Sequence, residues 1–112
     1  MTSVVIIADS GAEMARLTAQ VHAARGMTLV RHASGRVSVA RIIADHRPSI
    51  VLLGEMSPRR LVRERLAEIR RSSPETQVVV VPDGMSAKAL EIVLHEVLDP
   101  TTSGAPALAQ AA

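Results

Sequence analysis

Three acidic residues offer the clearest candidates for chemistry in this 112-residue chain. Asp9, Glu55 and Asp83 each come shortly after a run rich in Val, Ile or Leu. If those runs are neighbouring parallel strands, their carboxyl ends meet at one edge of a sheet, where ligands of α/β proteins bind. Three carboxylates there could surround a divalent cation, as in a small enzyme. However, no nucleophile or activated base accompanies them, so we rank this hypothesis low.

The other reactive residue types form no catalytic or metal-binding motif. The chain has no cysteine, which excludes thiolate ligands and thiol nucleophiles. Ser10-Gly11 does not form a nucleophile elbow, and a single glycine after the first apolar run is not a phosphate-binding loop. We therefore predict no catalytic residue, no metal site, no cofactor and no enzymatic activity. His46 and His95 are expected on helix surfaces. The histidines lack the spacing of metal ligands: His22, His32, His46 and His95.

Arginines dominate one segment in the middle of the chain. At 100° per residue, five of them fall within an arc of about 120° on a predicted helix. Such an arc can bind phosphate, nucleic acid or an acidic partner, or it can be a solvated face paired with Glu64 and Glu68. Arg65 lies instead on the apolar arc and is expected at the edge of the core or in a subunit interface. The arc contains Arg59, Arg60, Arg63, Arg70 and Arg71.

Composition narrows the classes of function further. The formal net charge is +2, and the chain lacks Phe, Tyr and Trp. Single-strand nucleic-acid binders stack bases on aromatic rings, so that mode is excluded. No apolar run is long enough to span a bilayer, and the N-terminus has no basic region of a signal peptide. We expect a cytoplasmic location without membrane insertion.

The apolar pattern predicts four strand–helix units. Short β-branched runs alternate with segments of helical period, and parallel pairing with right-handed crossovers then follows. The expected fold is an α/β three-layer open parallel sheet with helices on both faces. We assign residues 1–98 to this domain and residues 99–112 to a flexible tail or linker. The predicted strands are residues 4–7, 28–33, 49–53 and 77–81, and the predicted helices begin after Ser10, near Val39, at Ser57-Pro58 and at Ser86.

The sequence resembles the receiver domains of bacterial response regulators. "RPSIVLLGEMSPRR" is similar to their third strand and following loop, and "VVIIADS" to their first strand with its acidic end. The resemblance covers residues 3–98 and implies a flavodoxin-like fold. It also implies phosphorylation of an Asp after the third strand, Mg²⁺ held by an acidic pair, and a Ser/Thr and a Lys that sense the phosphoryl group.

Carried over residue by residue, that machinery is mostly absent. Gly54 stands at the phosphoacceptor position and Pro82 at the switch Ser/Thr. Of the acidic pair, Ala8 replaces the first and Asp9 keeps the second, and no Lys follows a strand. The resemblance therefore implies a pseudo-receiver that is not phosphorylated. Its degenerate pocket comprises Asp9, Gly54, Glu55, Pro82 and Asp83.

Two pocket carboxylates have alternative roles. Glu55 either mimics a phosphorylated state or pairs with Arg59 or Arg60, and we favour the pairing because its register places it on the other side of the strand. Asp9 is either a residual cation ligand or a cap of the first helix beside Ser10, and we favour capping.

The resemblance departs from the family in length, because the family has five units and this chain has four. Either one unit is deleted or the chain stops after the fourth, which would leave the last strand as an open edge that invites a partner. We expect a docking module that binds a protein partner or forms a homodimer through that edge and the last helix. It would be the N-terminal regulatory or dimerisation domain of a transcription regulator or of a MinD-like pilus-localising ATPase, or a stand-alone adaptor. The rival is nucleic-acid binding by the arginine arc. The apolar stripe of the last helix is Leu90, Val93, Leu94 and Val97.

Overall fold

Strands and helices alternate along the whole described chain. The computed structural model describes residues 2–82 and 84–98. The elements are β1 (Thr2–Ala8), α1 (Gly11–Ala23), β2 (Met27–Ser34), α2 (Ala40–His46), β3 (Ile50–Gly54), α3 (Arg60–Ser72), β4 (Gln77–Val81) and α4 (Ala87–Leu98).

The strands of the described residues form one parallel sheet in the order β2-β1-β3-β4. This confirms the predicted α/β class and its four strand–helix units, and it is consistent with a shortened flavodoxin-like fold. The fourth strand matches its prediction at both ends, since a polar Thr76 precedes it and Pro82 cannot continue its ladder.

Helices cover both faces of the sheet, as predicted. Val4 and Ile6 point to the face packed by α1 and α4, whereas Val5 and Ile7 point to the face packed by α2 and α3. All four side chains are fully buried. Alternate side chains of a strand point to opposite faces, so a run of consecutive apolar residues is what a strand covered on both sides requires.

Helix α4 lies on the same face of the sheet as α1. Right-handed crossovers put α1 on one face, because the chain moves from β1 to β2, and α2 and α3 on the other, because it then moves towards β4. Helix α4 packs on the α1 face. A further strand laid beside β4 after α4 would therefore need a left-handed crossover. Helix α4 closes the α1 face and does not have the position of a crossover helix.

The starts of the helices were predicted with mixed success. Ser10 accepts a hydrogen bond from the Glu13 N–H at 3.1 Å, and Ser86 accepts one from the Ala89 N–H at 3.1 Å, which confirms both caps. The predicted cap at Ser57 is wrong. Helix α3 begins at Arg60 without a side-chain cap, and Pro58 lies in the turn before it.

The apolar stripe of α4 is part of the core. The stripe packs against β1, β3 and β4 and against Leu17 and Val21 of α1. The prediction that this stripe is an exposed interaction surface is therefore wrong. An apolar stripe has the same sequence pattern whether it packs on a sheet or binds a partner. Ile92 is a large apolar residue of α4 whose side chain is exposed. The buried stripe residues are Leu90, Val93, Leu94 and Val97.

Two assignments fall on residues that are not described: the tail at 99–112 and Asp83 lie outside the described residues. Among the described residues, no helix combines the length and the apolar character needed to cross a membrane.

Candidate functional site

The carboxyl ends of β1 and β3 form a shallow cavity of about 340 Å³. Asp9 enters it from the end of β1, Glu55 from the residue after β3, and Glu13 from the first turn of α1. The cavity thus brings Asp9 and Glu55 together, as expected for the carboxyl ends of neighbouring parallel strands, and Gly54 precedes Glu55 at the end of β3. Glu13 was predicted only as part of a helix cap, because its approach to this edge depends on the packing of α1.

Each of these carboxylates is paired with an arginine. Asp9 accepts from Arg36 Nε at 2.6 Å and from Nη2 at 3.4 Å. Glu13 accepts from Arg16 at 2.6 and 3.2 Å. Together with the Glu55 pair described next, the cavity therefore carries compensated charges and not a bare cluster of carboxylates.

Glu55 lies 3.6 Å from Arg59 Nε. This is the arginine pairing that its register favoured. Arg59 is almost fully exposed, so this pair adds little to stability.

Asp9 has a role that sequence reasoning missed. The cap of α1 is Ser10, and Asp9 binds Arg36 instead, so the capping assignment of Asp9 is wrong. Arg36 lies 27 residues away in the loop after β2. The ion pair therefore ties the end of β1 to that loop, a contact that only the return of β2 beside β1 creates.

Gly54 is buried at the end of β3, facing the end of β1. A Cβ atom here would lie 3.4 Å from Glu13 Cγ and 3.5 Å from Ala8 Cβ, which are ordinary contact distances. The backbone thus leaves room for a first side-chain carbon. What the position lacks is an oxygen that could accept a phosphoryl group.

Among the described residues, the last predicted pocket position is Pro82, which is exposed directly after β4. Its carbonyl accepts from the Met85 N–H at 3.2 Å. Pro82 has no hydroxyl and no N–H, so it supplies only a carbonyl oxygen to this turn.

The loop between β2 and α2, residues 35–39, is fixed from several sides. Gly35 donates its N–H to the Ala8 carbonyl at 3.1 Å, and its carbonyl accepts from Arg65 Nε at 2.8 Å. A Cβ on Gly35 would lie 1.9 Å from Met56 Sδ, so any larger residue here would require the buried Met56 side chain to move. We call residues 35–39 the pinned loop.

An ion pair between the buried Arg65 and the half-buried Glu68 completes the attachment of the pinned loop. Arg65 binds Glu68 one turn further along α3, and Glu68 accepts from the Val39 N–H at 2.8 Å and from the Ser38 hydroxyl at 3.0 Å. Burial by itself raises the pKa of Glu68, but these hydrogen bonds and the Arg65 guanidinium outweigh it and hold the pKa below its usual value. The unusual placement of Arg65 on the apolar arc was the sequence signal for this network.

The arginine arc of α3 is largely on the surface. Arg59, Arg60, Arg63, Arg70 and Arg71 are all exposed, whereas Arg65 is buried in the network above. The histidines His22, His32, His46 and His95 are exposed as well. In the part of the chain that is described, no group of three or more His, Cys, Asp or Glu residues is arranged to hold a metal ion.

Comparison with other proteins adds no family. No protein-family model matches the chain, and no curated protein is similar to it.

Proposed function

We propose that this chain is a non-enzymatic, receiver-like docking module that takes no part in phosphotransfer. The observation that carries the proposal is Gly54, buried at the carboxyl end of β3 where the resemblance puts the phosphoacceptor. Beside it, Asp9 is bound by Arg36, so a cation would have to displace an arginine. Both features remove chemistry that a phosphorylated receiver needs.

The pinned loop supports a module that holds one conformation. A switch needs a segment with two arrangements that a ligand can bias. Here Arg65, Glu68 and the Ala8 carbonyl hold Gly35–Val39 through contacts within the chain itself. We propose that the module presents its surfaces constitutively, and that signals act through its abundance or its partners.

The setting we propose is the regulatory or dimerisation domain of a larger bacterial regulator, either a transcription regulator or a MinD-like pilus-localising ATPase. A stand-alone adaptor is the other arrangement. With the α4 stripe buried, the surfaces left for a partner are the outer edge of β4 and the outer side of α4, which includes Ile92 and His95.

A second candidate is nucleic-acid binding by the exposed arginines of α3. Four of them lack any ion pair to the rest of the described chain, which favours an external anionic partner. Duplex binding through such contacts weakens steeply as salt rises. Binding that is absent, or insensitive to salt, would contradict this candidate. The four are Arg60, Arg63, Arg70 and Arg71.

The docking proposal is tested by capture from lysate of the source cell, with and without nuclease, followed by reciprocal capture with each protein found. We expect at least one protein that is retained after nuclease and that captures the chain in return. Capture that disappears with nuclease would overturn the docking proposal in favour of nucleic-acid binding. Capture of no reciprocal partner would also contradict it.

A further inference from the structure

The two edges of the sheet differ in how well they are protected. In β2 the register shifts between Leu29 and Arg31, so Val30 forms a bulge, and Arg31 and His32 are exposed. Bulges and charges are the usual protection of an edge strand. Strand β4 pairs with β3 without a shift and has no charged residue. Its outer edge is thus regular and apolar.

The outward hydrogen-bonding groups of β4 follow from its register. Gln77 donates its N–H to the Ser49 carbonyl on the β3 side. In a parallel ladder the groups of alternate residues point the same way, so the N–H and C=O of Val78 and Val80 point outward. Within the described residues, β3 is the strand paired with β4. These two valines offer two donors and two acceptors to an added strand.

Helical periodicity places two arginines on the side of α3 that faces this edge. On α3, Arg65 and Glu68 face the pinned loop at the start of α2. At 100° per residue, Arg63 and Arg70 lie on the opposite side of the helix. Since α3 joins β3 to β4, the side away from α2 is the side of the β4 edge. Both arginines are exposed, and neither forms an ion pair within residues 2–82 and 84–98.

We infer that the β4 edge binds an extended segment of another protein, with acidic side chains at alternate positions on the face of α2 and α3. Arg63 and Arg70 lie about 10 Å apart along α3. Side chains on one face of a strand recur about every 7 Å, so two or three successive acidic positions reach both arginines. Backbone pairing supplies affinity and the arginines select the sequence. This inference rests on the proposed docking function and names its partner chemistry.

A second copy of this chain fits the edge poorly. An antiparallel pair of β4 strands related by a twofold axis places both α3 helices on the same face of the extended sheet. Arg63 of one copy then approaches Arg70 of the other, and like charges at such a junction oppose association. An acidic strand at this edge would instead be attracted by the positive charges of Arg63 and Arg70.

The test uses the full 112-residue chain and two synthetic eight-residue peptides, one alternating Val and Glu and the other alternating Val and Lys. Amide shifts and amide exchange are followed by NMR. We expect the Glu peptide to shift Val78 and Val80 and to slow exchange of their N–H groups, with weaker binding at high salt. The Lys peptide should change neither the amide shifts nor the amide exchange of these two valines. Methylating the Glu peptide on the backbone nitrogens that face β4 should abolish binding.

Matched double variants separate edge recognition from general charge. R63A/R70A should weaken binding of the Glu peptide roughly threefold to thirtyfold, as expected for two partly exposed ion pairs. R60A/R71A removes the same charge from the outward side of α3 and should change affinity less than about twofold. Equal effects of the two variants, or equal binding of both peptides, would overturn the inference.

The remaining outcomes also decide. A dimer in sedimentation, with slow exchange at Val78 and Val80 before any peptide is added, would assign the edge to a second copy and overturn the inference. If reciprocal capture finds a partner that the Glu peptide does not displace, the docking proposal is supported and the assignment of the β4 edge is wrong. Selective peptide binding without any reciprocal partner would keep the edge chemistry while the proposed function fails.

Discussion

Removing the Glu68 carboxylate should loosen the pinned loop and destabilise the fold. Glu68 accepts from the Val39 N–H and from the Ser38 hydroxyl, and it binds the guanidinium of Arg65. The side chains of Glu68 and Arg65 are only 14% and 11% exposed, so solvent replaces these contacts poorly. Hydrogen bonds to a charged group contribute about 1.5–3 kcal/mol each.

Glu68→Ala loses two such hydrogen bonds and leaves Arg65 without its carboxylate, whereas the bond from Arg65 to the Gly35 carbonyl remains. We expect the free energy of unfolding to fall by about 3 kcal/mol. For a domain of this size that corresponds to a Tm lower by roughly 15 °C. Glu68→Gln keeps an acceptor for Val39 and should lose about half as much.

Urea denaturation followed by circular dichroism gives the free energy of unfolding, and thermal unfolding gives the Tm. Glu64→Ala is the matched control, because Glu64 is an exposed residue one turn earlier on α3. It should change stability by less than about 0.5 kcal/mol. A loss in Glu68→Ala no larger than that in Glu64→Ala would refute the assignment of Glu68 as the anchor of the pinned loop.

Three further predictions concern the pKa of Glu68, the buried stripe of α4 and the packing of Gly35. Folding lowers the pKa of Glu68, so this carboxylate contributes to folding stability above its unfolded pKa, and the contribution is lost as the pH falls through its folded pKa. Glu68→Gln should therefore flatten the acid side of a plot of unfolding free energy against pH. An unchanged slope would contradict this. Leu94→Ala should cost about 2–5 kcal/mol because Leu94 is core, whereas the exposed Ile92→Ala should cost less than about 0.5 kcal/mol; similar losses in urea unfolding would contradict the burial of the stripe. Gly35→Ala should cost about 1–3 kcal/mol through its clash with Met56, and a neutral Tm would show that Met56 yields freely.

Local patterns predicted the fold because each unit carries its own signals. Gln77–Val81 is bounded by polar and proline residues, and Ser10 and Ser86 cap their helices within one turn. The predicted start of α3 was wrong because Ser57-Pro58 has the composition of a helix start, whereas the chain forms a turn there before the helix begins. Local composition does not distinguish these two outcomes.

The site was predicted less completely because its contacts are long-range. The strand ends correctly placed Asp9 and Glu55 at one cavity, because the carboxyl ends of neighbouring parallel strands lie at the same edge of the sheet. The partner of Asp9, however, is 27 residues away, and the acceptor for Arg65 is 30 residues away. Both depend on where the loop after β2 returns over the sheet. The α4 stripe shows the same limit, since amphipathic period does not reveal which surface it covers.

We propose above all that the cavity at the carboxyl ends of β1 and β3 takes no part in phosphotransfer and that the pinned loop beside it holds one conformation. Its most direct test is to incubate the chain with acetyl phosphate and Mg²⁺ while recording the intact mass and the amide shifts of Gly35, Gly54 and Glu55. We expect no gain of a phosphoryl group and no Mg²⁺-dependent shift at these three amides. A stoichiometric phosphoryl adduct, or saturable shifts with Mg²⁺, would contradict it.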